Sequence, residues 1–256
     1  NEKFNSYAKK LSQEQNNEWT KVKGQFKEMV YNEPVEQLLY LAASSLESYQ
    51  PAMTNRGFKN VYNSAVQSKF VSDTISFDTA KKLYPLDLFA ATALTLSIQR
   101  YGQNERTLFT FLEAKGSNSL AEFKATEHRT YSIADVYDYD IYNFYSYLSE
   151  VNSDSTNWAA IRVALERTES SLPVELIPNA CKLVKAIGMF NLFGSAGIKI
   201  ERETLETYAQ YALDIENASQ ILDKLQQFKI IRFATYKSQY VLFEGTDIDI
   251  EDEMLK

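Results

Sequence analysis

The 256-residue sequence has little of several residue types, and each shortage excludes a class of protein. A single cysteine, Cys181, excludes an internal disulfide, and a single histidine, His128, excludes a metal site built from several histidines. Eight glycines and five prolines leave few tight turns, which suits long helices. Because there is no signal peptide and no apolar run long enough to cross a bilayer, we expect a cytoplasmic protein without a membrane partner.

Motifs that hold a nucleotide or build a hydrolase are also missing. Neither G-x-x-x-x-G-K-(S/T) nor G-x-G-x-x-G occurs, so the chain cannot hold phosphates with either of these glycine-rich loops. G-x-S-x-G is absent as well, which removes the familiar setting of a serine nucleophile. We therefore expect no catalytic residue, no metal site and no cofactor in this chain by itself.

The residues that are present predict a packed, mainly helical protein. Apolar residues make up 45% of the sequence and aromatic residues 13%, which is typical of a globular chain with a large core. The formal net charge is −7, which argues weakly against a broad nucleic-acid-binding surface. An aromatic run over residues 131–147 is interleaved with aspartates, so core packing is favoured there over base stacking.

The most organised stretch, residues 84–112, predicts two apolar helices separated by a short polar break. Pro85 suits the first turn of the first helix, and Gly102 suits its end, where a positive φ is often needed. Asn104 is a candidate cap for the second helix, and Arg106 follows in its first turn. Spacing alone favours a cap with an ion pair, and the alternative is an arginine positioned to bind a phosphate or carboxylate.

Residues 102–112, G-Q-N-E-R-T-L-F-T-F-L, resemble the Q-N-E-R-(T/S)-L-F-(S/T)-F-L motif of large bacterial P-loop ATPases of the AAA/STAND type. These ATPases are similar to origin-recognition-like ATPases and to ATP-binding subunits of phage-defence systems. Residues 7–26 and then 33–39 resemble the segment that follows the nucleotide-binding core in that family, and residues 240–250 resemble the end of its winged-helix hairpin. The resemblance covers most of the chain.

The resemblance implies that the chain is a piece of a larger ATPase, lying C-terminal to the nucleotide-binding core. The start at Asn1, without methionine and directly in a predicted helix, agrees with this expectation. The parent protein would bind ATP and Mg²⁺ through a P-loop domain that precedes this chain and is its expected partner. Arg106, Asn104 and the neighbouring Arg100 are the residues that the resemblance suggests would contact the nucleotide in that parent. Asp87-Leu88 stands where the family often has His-Pro, and Gln25 where it often has arginine, so no contact is assigned there.

Three parts are predicted along the chain: a helical, lid-like domain over residues 1–172, a winged helix-turn-helix domain over 173–247, and an acidic tail over 248–256. The fold class is therefore mainly α, a multi-helix bundle followed by a winged helix with a small β-hairpin. Three helices followed by β-rich runs at 230–235 and 239–243 give the element order of a winged helix.

The predicted third helix of this domain, residues 216–229, carries two acids and two lysines, which sum to zero. The hairpin region is more basic, with Lys229, Arg232 and Lys237 as candidate nucleic-acid contacts. Packing or partner docking is favoured over DNA reading, and DNA remains an open partner, as does a second copy of the chain.

The expected function is the non-catalytic helical and winged-helix portion of a multidomain ATPase. It would couple ATP binding and hydrolysis to a conformational change, in DNA transactions or phage defence. The alternative is a winged-helix transcription regulator with a helical, ligand-binding half, which a large apolar pocket in that half would favour.

Overall fold

The computed structural model describes residues 12, 15, 34–46, 57–102, 108–113, 118–149 and 154–243. Apart from residues 12 and 15, segment 3–30, whose apolar residues recur at helical spacing and predict one long helix or two in line, lies outside this part. The acidic tail predicted over 248–256 also lies outside it. The described residues are mainly helical, with ten α-helices and one two-stranded antiparallel sheet, so a mainly α fold with a small hairpin is confirmed. In chain order the elements are α1 (Val35–Leu46), α2 (Phe58–Gln67), α3 (Phe77–Lys82), α4 (Leu88–Tyr101), α5 (Leu108–Glu113), α6 (Ile133–Ser149), α7 (Ser155–Ser171), α8 (Ile177–Phe193), α9 (Arg202–Ala212), α10 (Ala218–Gln227), β1 (Ile231–Ala234) and β2 (Gln239–Leu242).

Two helices that are apolar on nearly all sides, α4 and α8, form the centre of the core. Helix α4 packs against α1 and α6, while α8 packs against α6 and α7. Four aromatic rings meet where α4, α8 and α9 converge, with centroids 5.0–5.6 Å apart; they belong to Phe70, Phe89, Phe190 and Tyr208. The core is therefore continuous across position 172, while the domain boundary drawn there stays a prediction.

Helix α4 begins later than its proline suggested, because an aspartate caps it. Its first residue is Leu88, and the Asp87 carboxylate accepts a hydrogen bond from the backbone N–H of Ala90 at 2.8 Å. Pro85 lies before the helix, where its carbonyl accepts a hydrogen bond from the N–H of Tyr131 at 2.8 Å. Pairing of this segment with the strand-like backbone at residue 131 keeps Pro85 out of the helix, which corrects the predicted start.

Two further local predictions need correction. Gly102 ends α4, but with φ −67°, so the stop does not use a left-handed conformation. Residues 118–123 form turns, although Asn118 as a candidate cap and the apolar Leu120 and Phe123 predict a short helix there. The carbonyl of Asn118 accepts a hydrogen bond from the hydroxyl of Tyr131 at 2.6 Å. This tertiary contact fixes the segment as a turn against the core.

The last third of the described chain has the predicted order of three helices followed by a hairpin. Strands β1 and β2 pair in register from Ile231 opposite Leu242 to Ala234 opposite Gln239, and Ser238 closes the turn with φ +50°. The backbone before α9 lies alongside β2, since the N–H of Tyr240 donates to the carbonyl of Ile200 at 3.0 Å.

A glycine allows α7 and α8 to approach closely. A Cβ atom at Gly188 would overlap the side chain of Ile161 on α7. Ile161 is fully buried in this contact. Among the described residues, no helix has the length and apolar character needed to cross a membrane.

Candidate functional site

Only one of the three residues predicted to contact nucleotide lies in the described part of the chain. Asn104 and Arg106 fall within residues 103–107, outside that part, so their roles stay predictions. Arg100 is described, in the last turn of α4. The site can therefore be built only from Arg100 and the elements around it.

Arg100 joins the ends of three helices. Its Nη1 donates to the carbonyl of Leu192 in the last turn of α8 at 3.2 Å and lies 3.5 Å from the Asp154 carboxylate at the start of α7. The guanidinium also lies 5.1 Å from the ring centroid of Phe193. A cation at the carbonyl end of a helix stabilises that end, so these contacts have a structural value of their own. The side chain is still 39% exposed, which leaves donors accessible to a ligand.

Arg100 lines a half-open groove of about 750 Å³ between α1, α2, α4 and the end of α8. Its apolar lining consists mainly of Leu39, Phe70, Val71, Leu96 and Phe193. Its polar lining includes Glu36, Lys69, Asp73, Thr92 and Arg100. A groove of this size and mixed lining can hold a drug-sized ligand with one anionic group.

Thr92 is the clearest sign of an unmet interaction in the groove. The residue is 4% exposed, and its hydroxyl oxygen is buried without a hydrogen-bond partner in the part of the chain that the structure describes. Most buried hydroxyls in folded proteins are paired, because an unpaired one costs free energy. A ligand that reached this hydroxyl would supply the missing partner. No group of three metal-ligating side chains occurs among the described residues.

The predicted nucleic-acid contacts all lie in or beside the hairpin. Lys229 is exposed in the loop after α10, Arg232 is half-buried on β1, and Lys237 is exposed in the 3-10 turn between the strands. The exposed face of α10, the helix that precedes the hairpin, is not cationic. Arg202 on α9 pairs with Asp223 at 2.7 Å and with Glu206 at 2.8 Å, so its charge is used within the fold.

A buried polar network around Asp87 was missed by sequence reasoning. Asp87 is fully buried and accepts hydrogen bonds from the hydroxyls of Thr130 at 2.8 Å and Tyr208 at 2.9 Å, besides that from Ala90. The hydroxyl of Tyr208 in turn accepts one from the N–H of Ile133 at 2.7 Å. The network ties the starts of α4 and α6 to the middle of α9. Asp87 before an apolar helix was a signal for a cap, but its partners lie 43 and 121 residues away.

An ion pair continues this network toward the surface. Arg129 donates through both terminal nitrogens to Asp135, at 2.8 and 2.6 Å, and through Nη1 to the backbone carbonyl of Thr130 at 2.8 Å. Such bidentate pairs fix geometry as well as charge. Residues 129–135 are thereby held as a rigid connection between α6 and α9.

Burial raises the pKa of the Asp87 carboxyl to about 6; the three hydrogen bonds limit the rise, and the nearby negative charge of Asp135 adds to it. A second buried carboxyl, Asp140 on α6, accepts a hydrogen bond from the hydroxyl of Ser97 at 2.9 Å. Its other oxygen has no partner among the described residues, and burial raises its pKa well above the ordinary value. Neither carboxyl lines the groove at Arg100, so we assign both to the core.

In comparisons with known proteins, no family model, no curated protein and no solved structure matches this chain. The functional argument therefore rests on its residues and their geometry.

Proposed function

We propose that this chain is the helical lid and winged-helix portion of a multidomain P-loop ATPase, and that it transmits the nucleotide state of that ATPase to a partner. The observation that carries the proposal is the arrangement of α8, the extended residues 198–200, α9, α10 and the β1–β2 hairpin. The hydrogen bond from Tyr240 to Ile200 places the segment before α9 beside β2, as a winged helix requires. The resemblance of residues 102–112 to the ATPase motif supports the helical part.

The Asp87 network supports the coupling role. A lid can move an attached domain only if the connection between them is rigid. Buried hydrogen bonds across their interface provide such a rigid connection. Because Tyr208 of α9 bonds directly to the cap of α4, a displacement of α4 is passed to the winged helix. Arg202 of α9 is paired with Asp223 of α10, so its positive charge is used within the fold. This favours docking to a protein partner over reading of DNA.

In this proposal Arg106 contacts the phosphates of ATP, with Asn104 beside it and Arg100 as the neighbouring cation. A fixed positive charge stabilises the negative charge that develops during phosphoryl transfer. The parent domain supplies the P-loop and Mg²⁺.

The test compares this chain with a longer one that includes the preceding P-loop domain. Calorimetry measures ATP affinity, and phosphate release measures turnover. We expect the 256-residue chain to release no phosphate and the longer chain to hydrolyse ATP, with Arg106→Ala lowering turnover about 10³-fold, as loss of an arginine finger does. Arg162→Ala is the matched control, since Arg162 is exposed on α7. Unchanged affinity and turnover in Arg106→Ala would remove the assigned role, and a silent longer chain would refute the ATPase origin.

The groove at Arg100 favours a second candidate, a winged-helix regulator whose helical half binds a small ligand. Its volume of about 750 Å³ and the unpaired hydroxyl of Thr92 are the supporting observations. A screen of small carboxylic acids by thermal shift tests it. Stabilisation that is lost in Arg100→Gln and kept in Arg162→Gln supports the candidate, and the absence of any stabilising acid counts against it.

A further inference from the structure

Two adjoining cavities lie where the hairpin meets the end of α8, apart from the groove at Arg100. The larger, of about 420 Å³, is bounded by the loop after α8 and by the hairpin turn. The smaller, of about 140 Å³, extends between the hairpin and the contact of α7 with α8. Asn191, Lys237 and Gln239 line both cavities, so the two cavities adjoin at these residues.

Gln239 has an unmet hydrogen bond in this site. The residue is 7% exposed, yet its Oε1 is buried and has no partner in the described part of the chain. A buried amide oxygen without a donor is costly, so this position favours a ligand that carries an N–H group. Asn191 holds β2 in place, donating to the carbonyl of Tyr240 at 2.9 Å and accepting from the N–H of Leu242 at 3.3 Å. The amide of Gln239 is therefore presented from a fixed strand.

The rim of the larger cavity provides a flat aromatic surface and a cation. Tyr236 is 77% exposed although it is a large aromatic residue, and Lys237 Nζ lies 5.5 Å from the centroid of its ring. Among the described residues that line the two cavities, Lys237 is the one charged residue and none is an acid. In a chain of net charge −7, a cavity with this lining favours an anionic ligand.

We propose that this site binds a nucleotide. The base stacks on Tyr236, an N–H of the base donates to Oε1 of Gln239, and the phosphate lies near Lys237. An exposed ring is a general stacking surface for bases, and an amide pairs with the donor and acceptor groups at a base edge. The larger cavity has the size of a small-molecule site. The ligand is a free mononucleotide or one base of a single strand, since both carry the same groups.

The site is independent of the proposed ATPase function, because it involves neither residues 100–106 nor a P-loop domain. The 256-residue chain is titrated with AMP and with adenosine by calorimetry, and with a labelled ten-residue oligoadenylate by fluorescence anisotropy. We expect saturable binding of AMP, with adenosine weaker because it lacks the phosphate. Tyr236→Ala should weaken binding by about fivefold or more, and Tyr236→Phe should retain it.

Two exposed residues outside the cavities provide matched controls. Phe228→Ala removes an exposed ring and Lys124→Gln an exposed cation, and neither should change the affinity for AMP. Lys237→Gln should abolish the difference between AMP and adenosine. Gln239→Met should weaken binding while leaving the melting temperature equal or higher, because it removes a buried unpaired amide. If Gln239 had only a structural role, its replacement would not combine weaker binding of AMP with an equal or higher melting temperature.

The two sources of the ligand are separated by the probes. Binding of AMP that the oligoadenylate does not exceed assigns the site to a free nucleotide, and much tighter binding of the oligoadenylate assigns it to a single strand. Absence of saturable binding of either probe up to about 1 mM overturns the proposal. Equal losses in the Phe228 and Lys124 controls overturn it as well, since binding would then be a general property of the surface.

Discussion

The buried carboxyl of Asp87 leads to a quantitative prediction for the pH dependence of folding. The change is Asp87→Asn, which retains an oxygen that can cap α4 and removes the titrating group. The hydroxyls of Thr130 and Tyr208 can rotate to meet the new amide, so we expect the variant to fold. Comparison of the variant with the wild type isolates Asp87, because the other titrating groups are common to both.

The magnitude follows from the pKa of Asp87, which is about 6 in the folded protein against about 3.9 for an unfolded chain. A carboxyl whose pKa is raised by folding stabilises the folded state below its unfolded pKa, and this stabilisation is lost as pH rises through the folded pKa. The difference corresponds to about 3 kcal/mol. Between pH 4 and pH 7.5 the wild type should therefore lose about 2.4 kcal/mol of unfolding free energy relative to Asp87→Asn, because a small part of the change lies below pH 4.

The assay is urea denaturation at pH intervals of half a unit. Unfolding is monitored through the fluorescence of the buried Trp158. Asp73→Asn at an exposed position is the control, with an expected change below about 0.5 kcal/mol. If the unfolding free energies of the wild type and of Asp87→Asn changed in parallel with pH, Asp87 would not titrate between pH 4 and pH 7.5. A wild type that gains stability relative to the variant as pH rises would show that the three hydrogen bonds outweigh burial, and would refute the reasoning.

Two further predictions concern the core. Asp140→Asn should become more stable relative to the wild type as pH rises, because burial raises the pKa of this carboxyl and the variant avoids ionising it; equal unfolding free energies across the pH range would contradict this. Gly188→Ala gains helix propensity, yet it should lose about 1–3 kcal/mol through overlap with Ile161, as judged by urea denaturation. Adding Ile161→Ala to Gly188→Ala should cost less than the sum of the two single changes, and strict additivity would mean that the overlap is relieved elsewhere.

Local sequence patterns predicted the elements whose residue types repeat at helical or strand spacing. Helices α4 and α8 are apolar at helical spacing, and the β1–β2 hairpin has two β-rich runs around a short turn, so periodicity identified all three. The turn at residues 118–123 was predicted as a helix because its caps suit either structure. The hydroxyl of Tyr131, which decides between them, is supplied by a residue outside the segment.

The candidate sites were harder to predict for the same physical reason. Arg100 was identified as the neighbour of Arg106 in the stretch that resembles the ATPase motif. Its groove, however, is formed by four helices, and the sequence alone does not show that they lie side by side. Gln239 could not be identified from the pattern either, because alternation along β2 puts it on the face of the half-buried Val241, opposite the buried Tyr240 and Leu242. Its unpaired oxygen becomes visible only when α8 is in position.

The four-ring contact of Phe70, Phe89, Phe190 and Tyr208 has a consequence for how this chain can be divided. Two rings come from before position 172 and two from after it, and each ring touches rings from the other side. A protein cut at 172 would expose an aromatic surface on each half and leave Asp87 without one of its donors. The halves are thus poor candidates for separate expression or for exchange between proteins, and insertion or shuffling should succeed only outside this contact.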